Sequence, residues 1–162
     1  MLIKILCGNK RIILLVGTSA IKIGKIRLIR CVSRFFILPF SLRLRERFFK
    51  KYGPTWREAI IRDLFAGLLS NRNEYRYFQE HKDDRVMPTI SQFLLGSVVV
   101  QLRGQPISGE EIIKEFPQYQ SDAYRKADIC TSTQFCRHPD GTIKIVDYGE
   151  PTTISLLQET SN

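Results

Sequence analysis

A chain of 162 residues with 43% hydrophobic and 25% charged residues has the composition of one folded domain rather than of a disordered segment. Folding at this length removes roughly 70% of the extended chain's surface from water, so the class of small proteins stapled by disulfides or metals is excluded. The net charge is +9, and residues 1–50 contain twelve Lys and Arg but a single acid, Glu46. The positive excess therefore lies in the first third of the chain.

This basic first third attracts phosphate in any form, such as a nucleotide, a nucleic-acid backbone, a lipopolysaccharide core or an anionic lipid. The sign of the charge does not select among these partners. A solvated basic face without a dedicated partner is an equally simple interpretation. Both interpretations stay open at this point.

The cysteine pattern and the short apolar runs argue against a metal centre and a membrane span. The four cysteines include no CxxC pair and the chain has two histidines, so we expect no zinc site. The apolar runs at 12–16 and 35–40 are far shorter than the roughly 18 residues that a spanning helix needs. We expect a cytoplasmic protein, with peripheral attachment to a membrane as an option.

The beginning of the chain predicts a small antiparallel sheet. Residues 2–6 and Arg11–Val16 are rich in β-branched and aliphatic side chains, and Gly8-Asn9 between them suits a hairpin turn. A third run of this kind covers residues 20–23. These runs predict three short antiparallel strands.

Residues 26–51 mix Arg and Lys with Leu, Ile and Phe in a basic amphipathic pattern that Pro39 interrupts. A segment of this composition can lie on a membrane surface. It can also pack on its own domain, with the arginine stems covering apolar surface. The sequence leaves both alternatives open.

Two helix starts are predicted in the middle of the chain. Thr55-Trp56-Arg57-Glu58 has the capping-box pattern, and apolar residues follow it at a spacing of three to four up to Leu69. A second start is predicted at Asn71, with the helix running to about His81.

The rest of the chain predicts two strands, a short helix and a hairpin. These lie at Thr89–Phe93, at 96–102, between Ser108 and Pro117, and at 134–137 and 142–147. The element order predicts an α+β fold, in which a small antiparallel sheet packs against one or two helices. We expect a single domain over residues 1–162. Its parts are basic strands and the amphipathic segment (1–50), a helix and sheet (55–107), and a short helix, hairpin and tail (108–162).

Four segments carry a resemblance to a known family. Ala20-Ile21-Lys22 is similar to that family's third strand, and Glu74 lies where a helix Glu holds the strand Lys. Val98–Leu102 and the linker at 103–107 are similar to the strand and hinge against which adenine stacks. Residues 143–149, Ile-Lys-Ile-Val-Asp-Tyr-Gly, resemble the metal-binding segment, with Asp-Tyr-Gly in place of Asp-Phe-Gly. Over roughly residues 11–149 the chain resembles the protein-kinase-like superfamily.

The resemblance implies ATP and Mg²⁺ as cofactors and a role for each matching residue. Lys22 is expected to pair with phosphate oxygens, and Glu74 is expected to hold Lys22 in place. Gln101 and Leu102 are expected to contact the nucleotide at the hinge, and Asp147 is expected to ligate the metal.

The chain departs from the family pattern in several places. The expected catalytic base, Asp128, is displaced by one position, and Gln134 stands where the family has a metal-binding Asn. No Gly-rich loop joins the first two strands, and Glu58 is a rival partner for Lys22. Only 13 residues follow Gly149. The sequence thus predicts a kinase-like N-lobe with a truncated catalytic-loop hairpin.

Two functions are compatible with this pattern. The first is an ATP- and Mg-dependent phosphotransferase acting on a sugar, a lipopolysaccharide or another small acceptor. In it Lys22 and Asp128 are catalytic, and Asp147 and Gln134 hold the metal. The second is a non-catalytic, pseudokinase-like binding module whose basic first third docks on a membrane surface or a nucleic acid.

Overall fold

Five antiparallel strands form the main sheet in a computed structural model that describes residues 3–37, 40–127, 129 and 131–160, with Phe35 and Tyr119 described by their backbone alone. The strands are β1 (Ile3–Cys7), β2 (Arg11–Val16), β3 (Ser19–Gly24), β4 (Thr89–Phe93) and β5 (Val98–Leu102). Their order across the sheet is β1-β2-β3-β5-β4, so β1 and β4 are the edges. All five side chains of β1 are exposed. The predicted strands are confirmed, with ends shifted by at most two residues.

One face of this sheet is defined by alternate side chains of β3 and β5. Ala20 and Lys22 are buried in β3, and Val99 and Gln101 are buried in β5. The register places Ala20 opposite Gln101 and Lys22 opposite Val99. Since alternate residues of a strand point to the same side, these four side chains share one face. That face carries the candidate site.

In the part of the chain that the structure describes, four α-helices lie between β3 and β4. They are α1 (Leu28–Ile37), α2 (Leu42–Tyr52), α3 (Trp56–Leu64) and α4 (Ala66–His81). The basic amphipathic segment is thus two helices, and Pro39, the predicted interruption, lies outside the described residues. The hydroxyl of Thr55 accepts a hydrogen bond from the Glu58 amide at 3.2 Å, which confirms the predicted start of α3.

Helix α4 begins five residues before the predicted start at Asn71. Asn71 does not cap a helix. Its buried side-chain amide donates to the carbonyl of Lys22 at 3.1 Å and to that of Gly96 at 3.0 Å. Near the start of α4, a Cβ built on Gly67 would lie 2.1 Å from the carbonyl oxygen of Lys10. Only a glycine therefore lets the helix approach the turn between β1 and β2 this closely.

Helix α1 turns its polar side toward the protein and its apolar side outward. Nη1 of Arg27, the residue before α1, lies 2.7 Å from Asp63 in α3, and Nη1 of Arg34 in α1 lies 2.6 Å from the other carboxylate oxygen. Asp63 is fully buried. The opposite face of α1 carries Leu28 and Ile29, and Ile29 is 89% exposed. This arrangement reverses the usual amphipathic pattern of a surface helix.

The chain after β5 forms a two-stranded sheet and three short helices. These are β6 (Phe135–Arg137), β7 (Ile143–Ile145), α5 (Gly109–Glu115), α6 (Asp122–Lys126) and α7 (Pro151–Glu159). A complete capping box between Ser108 and Glu111 starts α5, as predicted. Helices α6 and α7 were not predicted. The main core joins α4 to this part of the chain through Tyr77, Ile145, Tyr148 and Leu157.

The architecture confirms the predicted α+β class, with antiparallel strand pairing in both sheets. In the ranges that the structure describes, every helix is too short or too polar to pass through a lipid bilayer.

Candidate functional site

A cavity of about 350 Å³ opens between the main sheet and the β6–β7 hairpin. One part of its wall is apolar and includes Leu6, Ala20, Ile107 and Phe135, and the other includes charged side chains. The volume falls within the usual range for small-molecule sites. The cavity therefore combines an apolar compartment with an ionic one.

Lys22 and Glu74 meet at the ionic end, as the sequence predicted. Nζ of Lys22 lies 2.7 Å from Oε2 of Glu74, and both side chains are buried. The ammonium also donates to the carbonyl of Val146, just before Asp147. Glu58, the rival partner, instead pairs with Arg62 one turn along α3 at 2.7 Å. The structure thus selects Glu74.

Arg11 is the site residue that the sequence did not single out. Its Nη1 donates to Oε1 of Glu74 at 2.6 Å and to Oδ1 of Asn71 at 3.1 Å. Its Nη2 donates to Oδ1 of Asp147. The position of Arg11, at the head of an otherwise apolar strand and next to the turn after Gly8, was the available signal.

These contacts form an ion cluster of two cations, Arg11 and Lys22, and two carboxylates, Glu74 and Asp147. Glu74 gives one oxygen to each cation. It is fully buried, whereas the Asp147 side chain is 47% exposed. The formal charges of the cluster balance. An anionic ligand entering the cavity would meet two fixed cations. If the ligand replaced Asp147 next to Arg11, water could solvate the carboxylate of Asp147.

Burial and neighbouring charges shift the pKa values of this cluster. Burial lowers the pKa of Lys22 below its ordinary value, although Glu74 opposes that shift. Partial burial of Asp147 opposes ionisation, yet Arg11 and Lys22 hold its pKa below the ordinary value. Burial of Arg11 is likewise outweighed by Glu74 and Asp147, which raise its pKa. Asp147 and Arg11 are therefore both charged at neutral pH.

Asp147 is held by the residues that follow it. The buried hydroxyl of Tyr148 lies 2.5 Å from Oγ1 of Thr89 and donates to the carbonyl of Met87 at 3.0 Å. A Cβ on Gly149 would lie 2.1 Å from the carbonyl oxygen of Ser70 in α4, so this glycine permits a close approach of two backbones. The Asp-Tyr-Gly segment is thus packed against α4 and the start of β4.

The predicted hinge residues line the other end of the cavity. Gln101 and Leu102 both contribute to the wall, together with Gly104 and Pro106 from the linker. The side-chain amide of Gln101 donates to the carbonyl of Met87 at 3.2 Å, and the backbone amide of Leu102 donates to Pro88 at 2.9 Å. Both donors are therefore used in hydrogen bonds within the protein. The surface next to a ligand is instead the backbone of the linker.

Of the two remaining predicted residues, the structure describes only Gln134, which lies outside the cluster. Asp128 lies outside the described residues. Oε1 of Gln134 accepts from the backbone amide and the hydroxyl of Thr131, each at 3.0 Å, in a local capping arrangement. Ser132 and Thr133 line the cavity, whereas Gln134 is not among its described lining residues.

Of the two predicted metal ligands, the structure brings Asp147 to the cavity wall. Outside the few positions not described, no group of three or more His, Cys, Asp or Glu side chains converges to hold a metal ion. Asp147 supplies one carboxylate, and its Oδ1 already contacts Arg11. Protein magnesium sites use one or two carboxylates together with the phosphates of a ligand. The donor set therefore does not fit a metal site formed in advance.

The chain was compared with protein-family models, with curated proteins and with solved structures, and nothing in any of the three matches it.

Proposed function

We propose that this chain is a kinase-like nucleotide-binding protein whose cavity holds ATP or a related nucleotide. The observation that carries the proposal is the convergence of Lys22, Glu74 and Asp147 at one end of a cavity whose other end is the linker after β5. The kinase-like resemblance led us to expect this Lys–Glu pair.

The two compartments of the cavity match the two halves of a nucleotide. The apolar wall around Ala20 and Phe135 suits the flat face of a base, and the linker at 103–107 lies beside it. Arg11 and Lys22 lie at the opposite end, where they suit phosphate oxygens. A purely apolar ligand would make no charged contact with either Arg11 or Lys22.

Phosphoryl transfer stays a prediction. In that reaction the terminal phosphoryl group of ATP moves to an acceptor hydroxyl, giving ADP and a phosphate ester, while a base takes the hydroxyl proton. The predicted base is Asp128, and the predicted acceptor is a sugar, a lipopolysaccharide or another small molecule. Release of ADP that depends on such an acceptor would establish this activity, and Mg²⁺ dependence would test the predicted cofactor.

Nucleotide binding is tested by calorimetric titration of ATP into the wild-type chain and three variants. We expect Lys22→Met to lose about tenfold or more in affinity, because a charge-assisted contact to phosphate disappears. Ala20→Phe is expected to block binding by filling the apolar compartment. Lys25→Met is the matched control, since Nζ of Lys25 contacts the Gly8 carbonyl and the side chain is not part of the described cavity wall. Absence of ATP binding by the folded wild type would refute the proposal.

A second candidate function, docking on an anionic membrane surface, is favoured by the reversed helix α1. Its outward face presents Leu28, Ile29 and Val32, which are 61%, 89% and 56% exposed. Helix α2, next in the chain, exposes Arg43, Arg47 and other cations. Apolar side chains that enter the headgroup region, combined with cations that contact anionic lipid, are what an interfacial helix needs.

The same observation favours lipid over nucleic acid. A surface that tracks a phosphate backbone places cations along its contact face. Arg27, just before α1, and Arg34 in α1 instead turn inward to Asp63, and the outward side chains of α1 include the apolar Leu28, Ile29, Val32 and Phe36. A nucleic acid gains nothing from that apolar surface, whereas a bilayer does.

Membrane docking is tested by sedimentation with phosphatidylcholine vesicles that contain or lack phosphatidylglycerol. We expect binding to the anionic vesicles, and loss of that binding in an Ile29→Asp, Val32→Asp double variant. Leu95→Asp is the control, because Leu95 is 88% exposed but lies in the turn between β4 and β5. Equal retention of both variants, or no binding by the wild type, would contradict this function.

A further inference from the structure

We propose that Arg11 takes the place of a divalent cation, so that the cavity binds the phosphate groups of a nucleotide without a metal ion. This inference rests on the proposed nucleotide site and specifies how that site neutralises its ligand. It follows from the position of Arg11, from the way Glu74 is shared, and from the donor set around Asp147.

The guanidinium of Arg11 lies where it can reach an entering anion. Arg11 starts β2 directly after the turn containing Gly8, lines the cavity and is 6% exposed. Asn71 and Glu74 both accept from its Nη1, which fixes the orientation of the planar group. A guanidinium fixed in this way presents Nη2 toward Asp147 and the cavity. Its fork geometry suits a phosphate group.

Glu74 cannot neutralise both cations by itself. Its Oε1 contacts Arg11 and its Oε2 contacts Lys22, so one negative charge is divided between two positive charges. The remaining positive charge is balanced by Asp147, which is the more exposed carboxylate. A ligand phosphate that replaced Asp147 next to Arg11 would restore the same balance. Asp147 would then be hydrated, at a small cost because it is already half exposed.

A metal ion at this place would have to compete with Arg11. Asp147 is the acid that the family pattern assigns to the metal, and in this chain its Oδ1 accepts from Arg11. The amide oxygen of Gln134, the second predicted ligand, accepts from Thr131. A cation bound to Asp147 would also lie next to the guanidinium, and like charges at that distance repel. The observed contacts therefore favour neutralisation by Arg11 over neutralisation by a metal.

The first test is an ATP titration of the full chain in excess Mg²⁺ and, separately, in excess EDTA. We expect the two dissociation constants to agree within about threefold, since Arg11 supplies the neutralising charge in both buffers. A loss of about tenfold or more in EDTA would overturn the inference and leave the proposed nucleotide site intact. Absence of binding in both buffers would instead refute the proposed function, so the two failures are distinguishable.

Two variants sharpen this test in EDTA. Arg11→Gln is expected to lose about tenfold or more in ATP affinity, because it removes a charged hydrogen-bond donor to phosphate. Asp147→Asn is expected to bind ATP about threefold or more tightly, because Arg11 no longer has a competing carboxylate. A metal-ligand role for Asp147 predicts the opposite, a loss of affinity in Mg²⁺ and no gain in EDTA.

The controls separate these effects from unfolding and from general charge. Circular dichroism melts establish whether each variant is folded. If Arg11→Gln does not fold, Arg11→Lys is titrated instead, because lysine keeps the positive charge but lacks the forked guanidinium group. Arg76→Gln removes an exposed arginine from α4, 72% exposed and paired with Glu80, and is expected to change ATP affinity by less than about twofold. An equal loss in Arg76→Gln and Arg11→Gln would contradict a specific role for Arg11.

Discussion

Two buried carboxylates in this protein are each held by two cations, and they differ in what lies beside them. Asp63 in α3 binds Arg27 and Arg34, and Glu74 in α4 binds Arg11 and Lys22. Both acids are fully buried. In sequence terms the two groups are hard to tell apart, because each consists of one helix acid and two cations at least 29 positions away.

The surroundings separate a structural cluster from a site. Arg34 stacks over Phe48 and Tyr52 at 5.2 and 5.5 Å, so aromatic rings cover part of the cluster around Asp63. The cluster around Glu74 includes a further carboxylate, Asp147, and faces a cavity. We infer that the first anchors α1 and that the second is available to a ligand. A candidate site is therefore indicated by a neighbouring cavity and by a carboxylate that a ligand can replace, rather than by buried charge alone.

The largest effect on stability is expected at the cluster around Asp63. Asp63→Asn leaves the buried Arg27 and the partly buried Arg34 without a counter-charge, and should lower the free energy of unfolding by about 3–5 kcal/mol. Urea denaturation measures this loss. ATP affinity of the folded fraction should stay at the wild-type value. A parallel fall in ATP affinity would mean that the two clusters are coupled.

A somewhat smaller loss of stability is expected at the cluster around Glu74. Glu74→Gln leaves Arg11 with Asp147 and leaves Lys22 with the carbonyl of Val146, and water can enter from the cavity. We expect the free energy of unfolding to fall by about 2–3 kcal/mol. ATP affinity should change as well, which distinguishes this variant from Asp63→Asn. A stability loss as large as that of Asp63→Asn, with unchanged ATP affinity, would remove the distinction between the clusters.

The backbone contact behind Asp147 gives a third test. Gly149→Ala places a methyl group 2.1 Å from the Ser70 carbonyl oxygen, and should cost about 2 kcal/mol by overpacking while shifting Asp147. Gly109→Ala is the matched control, because nothing lies within 4 Å of its added methyl group, and it should be neutral or slightly stabilising. Thermal melts of the two variants compare them directly. Similar melting temperatures would contradict the packing argument.

The smallest effect concerns acid pH. Since the folded-state pKa of Asp147 lies below its ordinary value, its ion pair stabilises the protein above about pH 4 and this contribution is lost as the pH falls further. Asp147→Asn should therefore lose less stability than the wild type between pH 6 and pH 3, a difference of below about 1 kcal/mol at a half-exposed group. Urea denaturation across this pH range measures it. Identical pH profiles would show that Asp147 is not ion-paired in solution.

Much of the fold could be predicted from local patterns. Strand β2 follows from a run of β-branched and aliphatic residues, and the capping of α5 follows from the Ser108–Glu111 spacing; both are short-range features. The start of α4 was missed because Asn71 looks like a capping residue. Its actual partners, Lys22 and Gly96, are distant in sequence. Helix α7 was missed because no side chain caps its start at Glu150 and the β-branched Thr152, Thr153 and Ile154 have low helix propensity.

The site was predictable only in part for the same reason. Lys22, Glu74, Gln101, Leu102 and Asp147 were selected through the kinase-like resemblance, and the structure places all of them around or beside the cavity. Arg11 was missed, because an arginine in a basic first third is one of many. Its burial depends on Asn71, Glu74 and Asp147 meeting in space, and no local pattern reports that meeting.

The way Asp147 is held in place has a consequence for how a ligand enters and leaves the cavity. Tyr148 and Gly149 fasten this side of the entrance to α4 and to the start of β4. The opposite side is formed in part by β1, an edge strand with all its side chains exposed, and local opening is easiest where burial is least. We therefore expect β1 to open more easily than β2, which is paired with strands on both sides. Lys4 of β1 lines the cavity and is the charge that would move with this strand.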